Sequence, residues 1–141
     1  MDSRLIAYLY FFNVKQDYYE CHEYGEHLWL EQGRPEILKG LIQAAVCIYH
    51  LQNGNIKGGQ AMWRRARNYL QAGRPEYESI DIDKLIADLD ALWALVPLSY
   101  AGKIVSTKSI EQLCLPTIKI RVQEETILRD LPTFEPPVLD E

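Results

Sequence analysis

Hydrophobic residues recur every three or four positions through most of the first hundred residues, a spacing typical of amphipathic helices. The pattern predicts a short leading helix over 5–12 and four main helices at about 13–31, 35–52, 57–71 and 82–96. The second main helix is apolar on nearly every side, so we expect it to lie at the centre. The sequence therefore predicts an all-α fold, a bundle of four main helices after a short leading helix.

Capping and turn residues set the expected ends of these helices. Asn13 is followed three residues later by Gln16, a variant of the capping box, and we expect it to open the first main helix. Gly33 and Pro35 separate the first two main helices, because glycine commonly follows a helix end and proline suits a first turn. Pro97 ends the last main helix.

The pattern changes after Pro97. Residues 117–122 alternate polar and apolar side chains, which indicates a strand. A single strand leaves backbone groups unpaired, so we expect it to pair with residues 103–106 or with a neighbouring chain, and we expect a homodimer. The predicted organisation is a helical domain over 1–97 and a partly extended C-terminal extension over 98–141, irregular and with one or two short strands.

Composition narrows the possible classes of protein. A chain of 141 residues that is 48% apolar can bury a core without disulfides, and its net charge of −5 does not favour nucleic-acid binding. Three cysteines without a Cys-x-x-Cys pair do not indicate a disulfide framework or a thiolate zinc site. No apolar run reaches the roughly 20 residues of a membrane span. We therefore expect a cytoplasmic protein that does not enter a membrane.

The densest chemistry lies at 18–29, where three carboxylates, two imidazoles, a thiol and four aromatic rings follow one another. At about 100° per residue, His22, Glu26 and Trp29 share one face of the first main helix, beside its apolar side. An imidazole and a carboxylate four residues apart on a helix can reach one point, which is why helical metal sites use such spacings. His22 and Glu26 are therefore candidate ligands of a divalent metal ion.

The second main helix supplies candidate partners for this face. Glu36, Gln43 and His50 recur every seven residues on an otherwise apolar helix, and buried polar groups need partners. If the two helices turn near Gly33, Gln43 lies level with His22, whereas His50 lies more than a turn away. Gln43 is thus the better partner for His22, and His50 could join as a metal ligand only in a different register.

Two interpretations of the cluster stay open. Either it holds a divalent metal ion or a small polar ligand between the first two long helices, or it is a hydrogen-bond network that fixes the packing of those helices. In the second case the protein would act as a helical interaction module. No phosphate-binding loop or nucleophile motif assigns a reaction or a catalytic residue.

The third main helix and its exit carry a run of basic residues with no acid between them: Lys57, Arg64, Arg65, Arg67 and Arg74. A basic stripe can hold phosphate, although acids elsewhere in the chain can also neutralise it. Arg65 lies nearest the apolar edge and is the candidate for contact with an anionic ligand.

Several separated motifs occur in order over about residues 4–71: Phe12-Asn13, Tyr19-Glu20, His22-Glu23, Gly40-Leu41-Ile42-Gln43, His50 and Gly54-Asn55. Together they resemble the domain of unknown function 309 family, a group of small helical bacterial and archaeal proteins. The signature of that family is a histidine, three residues, an acid, two residues, and then tryptophan or tyrosine. His22, Glu26 and Trp29 match it, and the resemblance implies a metal-binding role for these positions.

Overall fold

Five helices form the body of the molecule in the computed structural model, which describes residues 1–140. They are α1 (Ser3–Tyr10), α2 (Tyr18–Glu31), α3 (Glu36–Gln52), α4 (Ile56–Leu70) and α5 (Ile82–Ala94). The expected all-α bundle of four main helices after a short leading helix is confirmed. Two short helices follow, α6 (Thr107–Gln112) and α7 (Glu125–Asp130).

The α3 helix is the most enclosed element of the bundle, as its apolar sequence predicts. It packs against α2 on one side and α4 on the other, and ten of its seventeen residues are buried. Both neighbours approach closely at glycines. A Cβ atom on Gly25 would lie 2.8 Å from Cγ1 of Ile42, and one on Gly40 would lie 2.8 Å from the backbone nitrogen of Leu70. Larger residues at these two positions would push the helices apart.

Asn13 does not open the first main helix, so that prediction was wrong. The chain forms a π-helical turn at Phe11–Lys15, and Gln16 adopts a left-handed φ of 49°. Asp17 is the N-cap of α2 instead. The Asn13 side chain bonds to the tail: its Nδ2 donates to the Ile120 carbonyl (2.9 Å), and the Ile120 amide donates to its Oδ1 (2.8 Å). The Asn13 side chain thus forms a tertiary contact with the tail, whereas the local pattern predicted a helix cap.

The tail segment 117–122 runs extended along the bundle. Its apolar side chains are buried, namely Ile118, Ile120 and Val122. Its polar side chains are exposed, as the alternation predicts. Its backbone partner is the hairpin formed by β1 (Glu76–Tyr77) and β2 (Ile80–Asp81), which was not predicted. Val122 forms an antiparallel bridge with Ile80, and the Asp81 amide donates to the carbonyl of Arg121.

The expected pairing of this segment with residues 103–106 was wrong. Those residues pair with the α3–α4 turn instead, where Ile104 bridges to Asn55 and the Val105 amide donates to the carbonyl of Gly54. The 117–122 segment therefore has backbone partners within its own chain and does not need a neighbouring chain to pair with. The homodimer itself stays a prediction.

The tail shares its hydrophobic core with the helices, through residues that include Ile110, Ile120 and Leu131. The division into a helical domain over 1–97 and an extension over 98–141 stays a prediction. Within residues 1–140, no helix has both the length and the apolar character needed to cross a bilayer.

We predict that Asn13→Ala lowers the free energy of unfolding by about 1–3 kcal/mol, because it leaves a partly buried backbone pair without partners. The Ile120 amide should also exchange its hydrogen faster, since it loses its acceptor. Chemical denaturation and residue-resolved hydrogen exchange measure the two effects. Asn53→Ala is the matched control, because the Asn53 side chain bonds only to a carbonyl of its own helix. Unchanged Ile120 exchange in Asn13→Ala would contradict the assignment.

Candidate functional site

His22 and Glu26 lie in contact on the surface of α2. Nε2 of His22 is 2.8 Å from Oε2 of Glu26, one turn later, and Nδ1 is 3.4 Å from Oε1 of Glu23. The side chains of His22 and Glu26 are 33% and 47% exposed, so they are partly buried, as expected. Both ring nitrogens of His22 therefore face carboxylates of the same helix.

The α2 surface around this pair is acidic. The nearby charge of Glu23 raises the pKa of the Tyr19 hydroxyl, and burial together with the charge of Asp17 raises the pKa of Glu20. A group bound beside His22 would therefore meet a negative potential on the α2 side.

Trp29 lies one turn beyond Glu26 and carries two cations over its ring. Nζ of Lys39 and Cζ of Arg34 each lie 5.5 Å from the centroid. The same Lys39 ammonium is 5.2 Å from the ring of Tyr69 on α4. Lys39 thus lies between two aromatic rings and links three helices. Lys39 was not among the predicted site residues, although it precedes Gln43 by one turn and belongs to the same side of α3.

We group residues on the neighbouring turns of α2, α3 and α4 as the α2–α4 face: His22, Glu26, Trp29, Lys39, Gln43, Arg65 and Tyr69. Arg65 belongs to it because it precedes Tyr69 by one helical turn, and its side chain is exposed. The face is acidic along α2 and basic along α3 and α4.

Two polar atoms on this face are buried and have no hydrogen-bond partner within residues 1–140. They are the indole Nε1 of Trp29, which is a donor, and the amide Oε1 of Gln43, which is an acceptor. Buried polar atoms in proteins are nearly always paired, and an unpaired one costs about 1–3 kcal/mol. A hydrogen bond from a bound molecule to either of these two atoms would therefore contribute most to its binding free energy.

The register of α2 against α3 agrees with the sequence prediction, because Gly25 lies directly against Ile42. Gln43 is thus level with the turn that carries His22. The structure nevertheless shows no hydrogen bond between them in the part of the chain described, and the His22 ring nitrogens lie near carboxylates of their own helix. The expectation that Gln43 partners His22 directly was wrong in this respect.

His50 lies at the far end of α3. Its Nδ1 is 3.4 Å from Nδ2 of Asn55, and its ring contacts that of Tyr49. The structure thus brings His22 and Glu26 together and leaves His50 apart from them.

The residues of this site fit a metal ion only in part. Within residues 1–140 there is no group of three or more His, Cys, Asp or Glu side chains arranged to hold one. Structural zinc sites use four protein ligands and catalytic ones three. His22 and Glu26 supply two, and Gln43 could add an amide oxygen. An ion here would keep water in its other coordination positions.

The basic residues around α4 are partly neutralised, but by α5 and not by α2. Arg67 donates to both carboxylate oxygens of Asp90, at 2.7 and 3.1 Å, and Arg74 donates to Asp83 at 2.6 Å. These pairs account for two members of the predicted basic stripe. Arg65 is exposed and forms no ion pair with an acid among residues 1–140, and its role as an anion contact stays a prediction.

Comparison with known proteins gives a family match over part of the chain but no activity. Residues 5–62 match the model of a family described as "Domain of unknown function (DUF309)", which confirms the resemblance over that range. The range covers most of α1, all of α2 and α3, and the first half of α4. The chain is similar to "Uncharacterized protein YpuF" from Bacillus subtilis (strain 168), at 35% identity over 81 residues. That alignment covers 55% of this chain and 47% of the relative, so the chain spans about half the length of the curated relative it matches. No solved structure matches it.

We predict that Lys39→Met lowers the free energy of unfolding by about 0.5–1 kcal/mol, because the methionine keeps the apolar stem but loses the cation between two rings. The indole ¹H–¹⁵N resonance of Trp29 should shift as well. Lys57→Met is the matched control, since Lys57 is exposed on the first turn of α4 and should change neither quantity. Denaturation curves and an ¹⁵N-edited spectrum provide the measurements. A Trp29 resonance that stays in place would count against the contact.

Proposed function

We propose that the α2–α4 face binds a small zwitterionic molecule, of the kind exemplified by a free amino acid. The supporting observation is the pair of buried atoms without partners, the Trp29 Nε1 donor and the Gln43 Oε1 acceptor. A molecule with an anionic acceptor at one end and a cationic donor at the other would satisfy both of them. Each satisfied atom would recover part of the cost of its burial.

The charges of the face support this choice of ligand. Lys39 and Arg65 provide positive charge along α3 and α4, which favours a carboxylate near the Trp29 indole. Glu26 provides negative charge along α2, which favours an ammonium group near the Gln43 amide oxygen. Because opposite charges flank the two free atoms, a zwitterion would match the face better than an ion of either sign.

Access to the Trp29 indole would require a side chain to move. Lys39 and Arg34 lie over its ring, and Nε1 is buried beneath the surface. Both side chains are long and flexible. The charged end of each can leave the ring and contact an anion at a small cost in free energy. In this proposal Lys39 leaves the ring and contacts the carboxylate of the ligand.

A divalent metal ion is a second possible occupant, favoured by the i, i+4 spacing of His22 and Glu26. These two side chains would hold it, with Gln43 as a further oxygen ligand. When bound, such an ion would supply positive charge for binding or polarising an anionic group.

We predict that glycine, titrated into ¹⁵N-labelled protein, moves the indole resonance of Trp29 and the side-chain amide resonances of Gln43. Acetate and methylammonium, each carrying only half of the zwitterion, should produce much smaller shifts at equal concentration. The indole of Trp63 is an internal control, because its Nε1 already donates to Asp90 at 2.9 Å and should not move. Gln43→Met, which keeps the side-chain length but removes the acceptor, should abolish the response.

Zinc chloride alone, titrated in parallel, separates the metal from the zwitterion. An ion held by His22 and Glu26 would raise the thermal midpoint of the wild type and leave Glu26→Gln unaffected, because the amide lacks the charge that the cation needs. If no probe has an effect, and His22→Ala and Gln43→Met only reduce stability, the cluster is a hydrogen-bond network that fixes helix packing. That result would overturn the proposed function.

A second candidate function is a helical interaction module that forms a homodimer. It is favoured by three large apolar side chains that follow the end of α5, Leu95, Leu98 and Ile104, which are 56%, 94% and 77% exposed. Large apolar side chains that are exposed close together in the chain can form part of a protein interface.

We predict that the wild-type chain scatters light as a dimer and that the double variant Leu98→Ser, Ile104→Ser scatters as a monomer with an unchanged circular dichroism spectrum. The serines remove apolar surface from positions that contribute little to the core. Val138→Ser is the matched control, because Val138 is equally exposed but lies elsewhere in the chain. A monomeric wild type at high protein concentration would remove this candidate.

A further inference from the structure

A cavity of about 430 Å³ is lined by residues of α2, α3, α5, α6 and the extended tail, none of which belongs to the α2–α4 face. Its volume falls in the range of small-molecule sites, about 300–1,000 Å³. The floor is made of buried apolar side chains, among them Ile48, Leu51, Leu92, Ile110 and Ile118. A ligand with a mostly apolar body would fit this lining.

Tyr18 supplies a polar group in this apolar lining. The residue is only 3% exposed and lines the cavity, and its hydroxyl makes no hydrogen bond within residues 1–140. Its ring is held edge-on against Phe12, with centroids 5.2 Å apart and planes at 84°. Burial raises the pKa of Tyr18 to about 12, so the hydroxyl keeps its proton at neutral pH and can donate it. A donor without a protein partner, set among the apolar side chains of the floor, favours a ligand that offers one acceptor there.

The rim of the cavity sets the charge of the ligand. Gln52, Glu111, Cys114 and Thr117 are exposed at the opening, and the lining includes no lysine or arginine. An anionic amphiphile would therefore meet the Glu111 carboxylate without a compensating cation. The rim disfavours fatty-acid anions and tolerates uncharged molecules.

We propose that this cavity binds a small, uncharged, mostly apolar molecule with a single carbonyl or hydroxyl oxygen, which accepts a hydrogen bond from Tyr18. The site is distinct from the α2–α4 face and does not depend on the function proposed for that face. Tyr18 lies at the start of α2 and determines polarity, whereas α5, α6 and the tail determine shape.

The test uses displacement of the neutral fluorescent probe N-phenyl-1-naphthylamine by 2-nonanone and by octanoate. The ketone should displace the probe, and octanoate, which is similar in size but anionic, should displace it poorly. Tyr18→Phe keeps the ring and removes the donor. It should lower the affinity for 2-nonanone by roughly three- to tenfold, as expected for the loss of one hydrogen bond. Equal affinity of the ketone for Tyr18→Phe and wild type would overturn the role of the hydroxyl.

Two further measurements assign the binding to this cavity. Ile110→Trp should fill it and abolish probe binding, whereas Ile127→Trp, placed in a separate, shallower depression of about 180 Å³, should leave binding intact. Cys114 is the one exposed cysteine among residues 1–140, since Cys21 and Cys47 are buried, and it lies on the rim. Bound 2-nonanone should slow its reaction with a thiol reagent. Displacement without any protection of Cys114 would overturn the assignment, even if Ile110→Trp failed to fold.

Discussion

The architecture depends on how closely α2 and α4 approach opposite sides of α3. Glycines at the two contacts let the backbones come near enough for α3 to bury most of its leucine, isoleucine and alanine side chains. Each large apolar side chain buried in this way contributes about 1.5–3 kcal/mol before the cost of ordering the chain. Only a narrow strip of α3 stays partly open, and Lys39 and Gln43 lie on it. The position of the candidate site is thus a consequence of helix packing.

The α2–α4 face combines groups that other proteins usually pair. Its lysine contacts aromatic rings instead of an acid, its histidine contacts acids of its own helix, and an indole donor and an amide acceptor lie buried without each other. If these groups served stability alone, hydrogen bonds and ion pairs among them would stabilise the fold further. Because these groups lie on three different helices and do not pair with one another, they are available to a bound molecule.

Periodicity was sufficient to predict the helices, the central place of α3 and the register that sets Gln43 beside the His22 turn, because each depends on spacing within one or two neighbouring elements. It could not predict the partner of Asn13. A capping pattern is local, whereas the bond to Ile120 forms between distant parts of the chain. The same limit applies to Lys39, whose aromatic partners come from two other helices, and to the cavity, which exists only after the tail has packed.

The pair formed by Asn13 and Ile120 joins positions 107 residues apart and so bears on the order of folding. All four main helices are complete by Ala94, and their contacts are mostly between sequence neighbours, which favours rapid collapse. The π-helical turn, by contrast, receives its partner only after the extended tail has been synthesised and has closed a long loop. A chain emerging from the ribosome would therefore form its helical contacts first. The π-helical turn would stay exposed, and accessible to chaperones, until the segment that contains Ile120 docks.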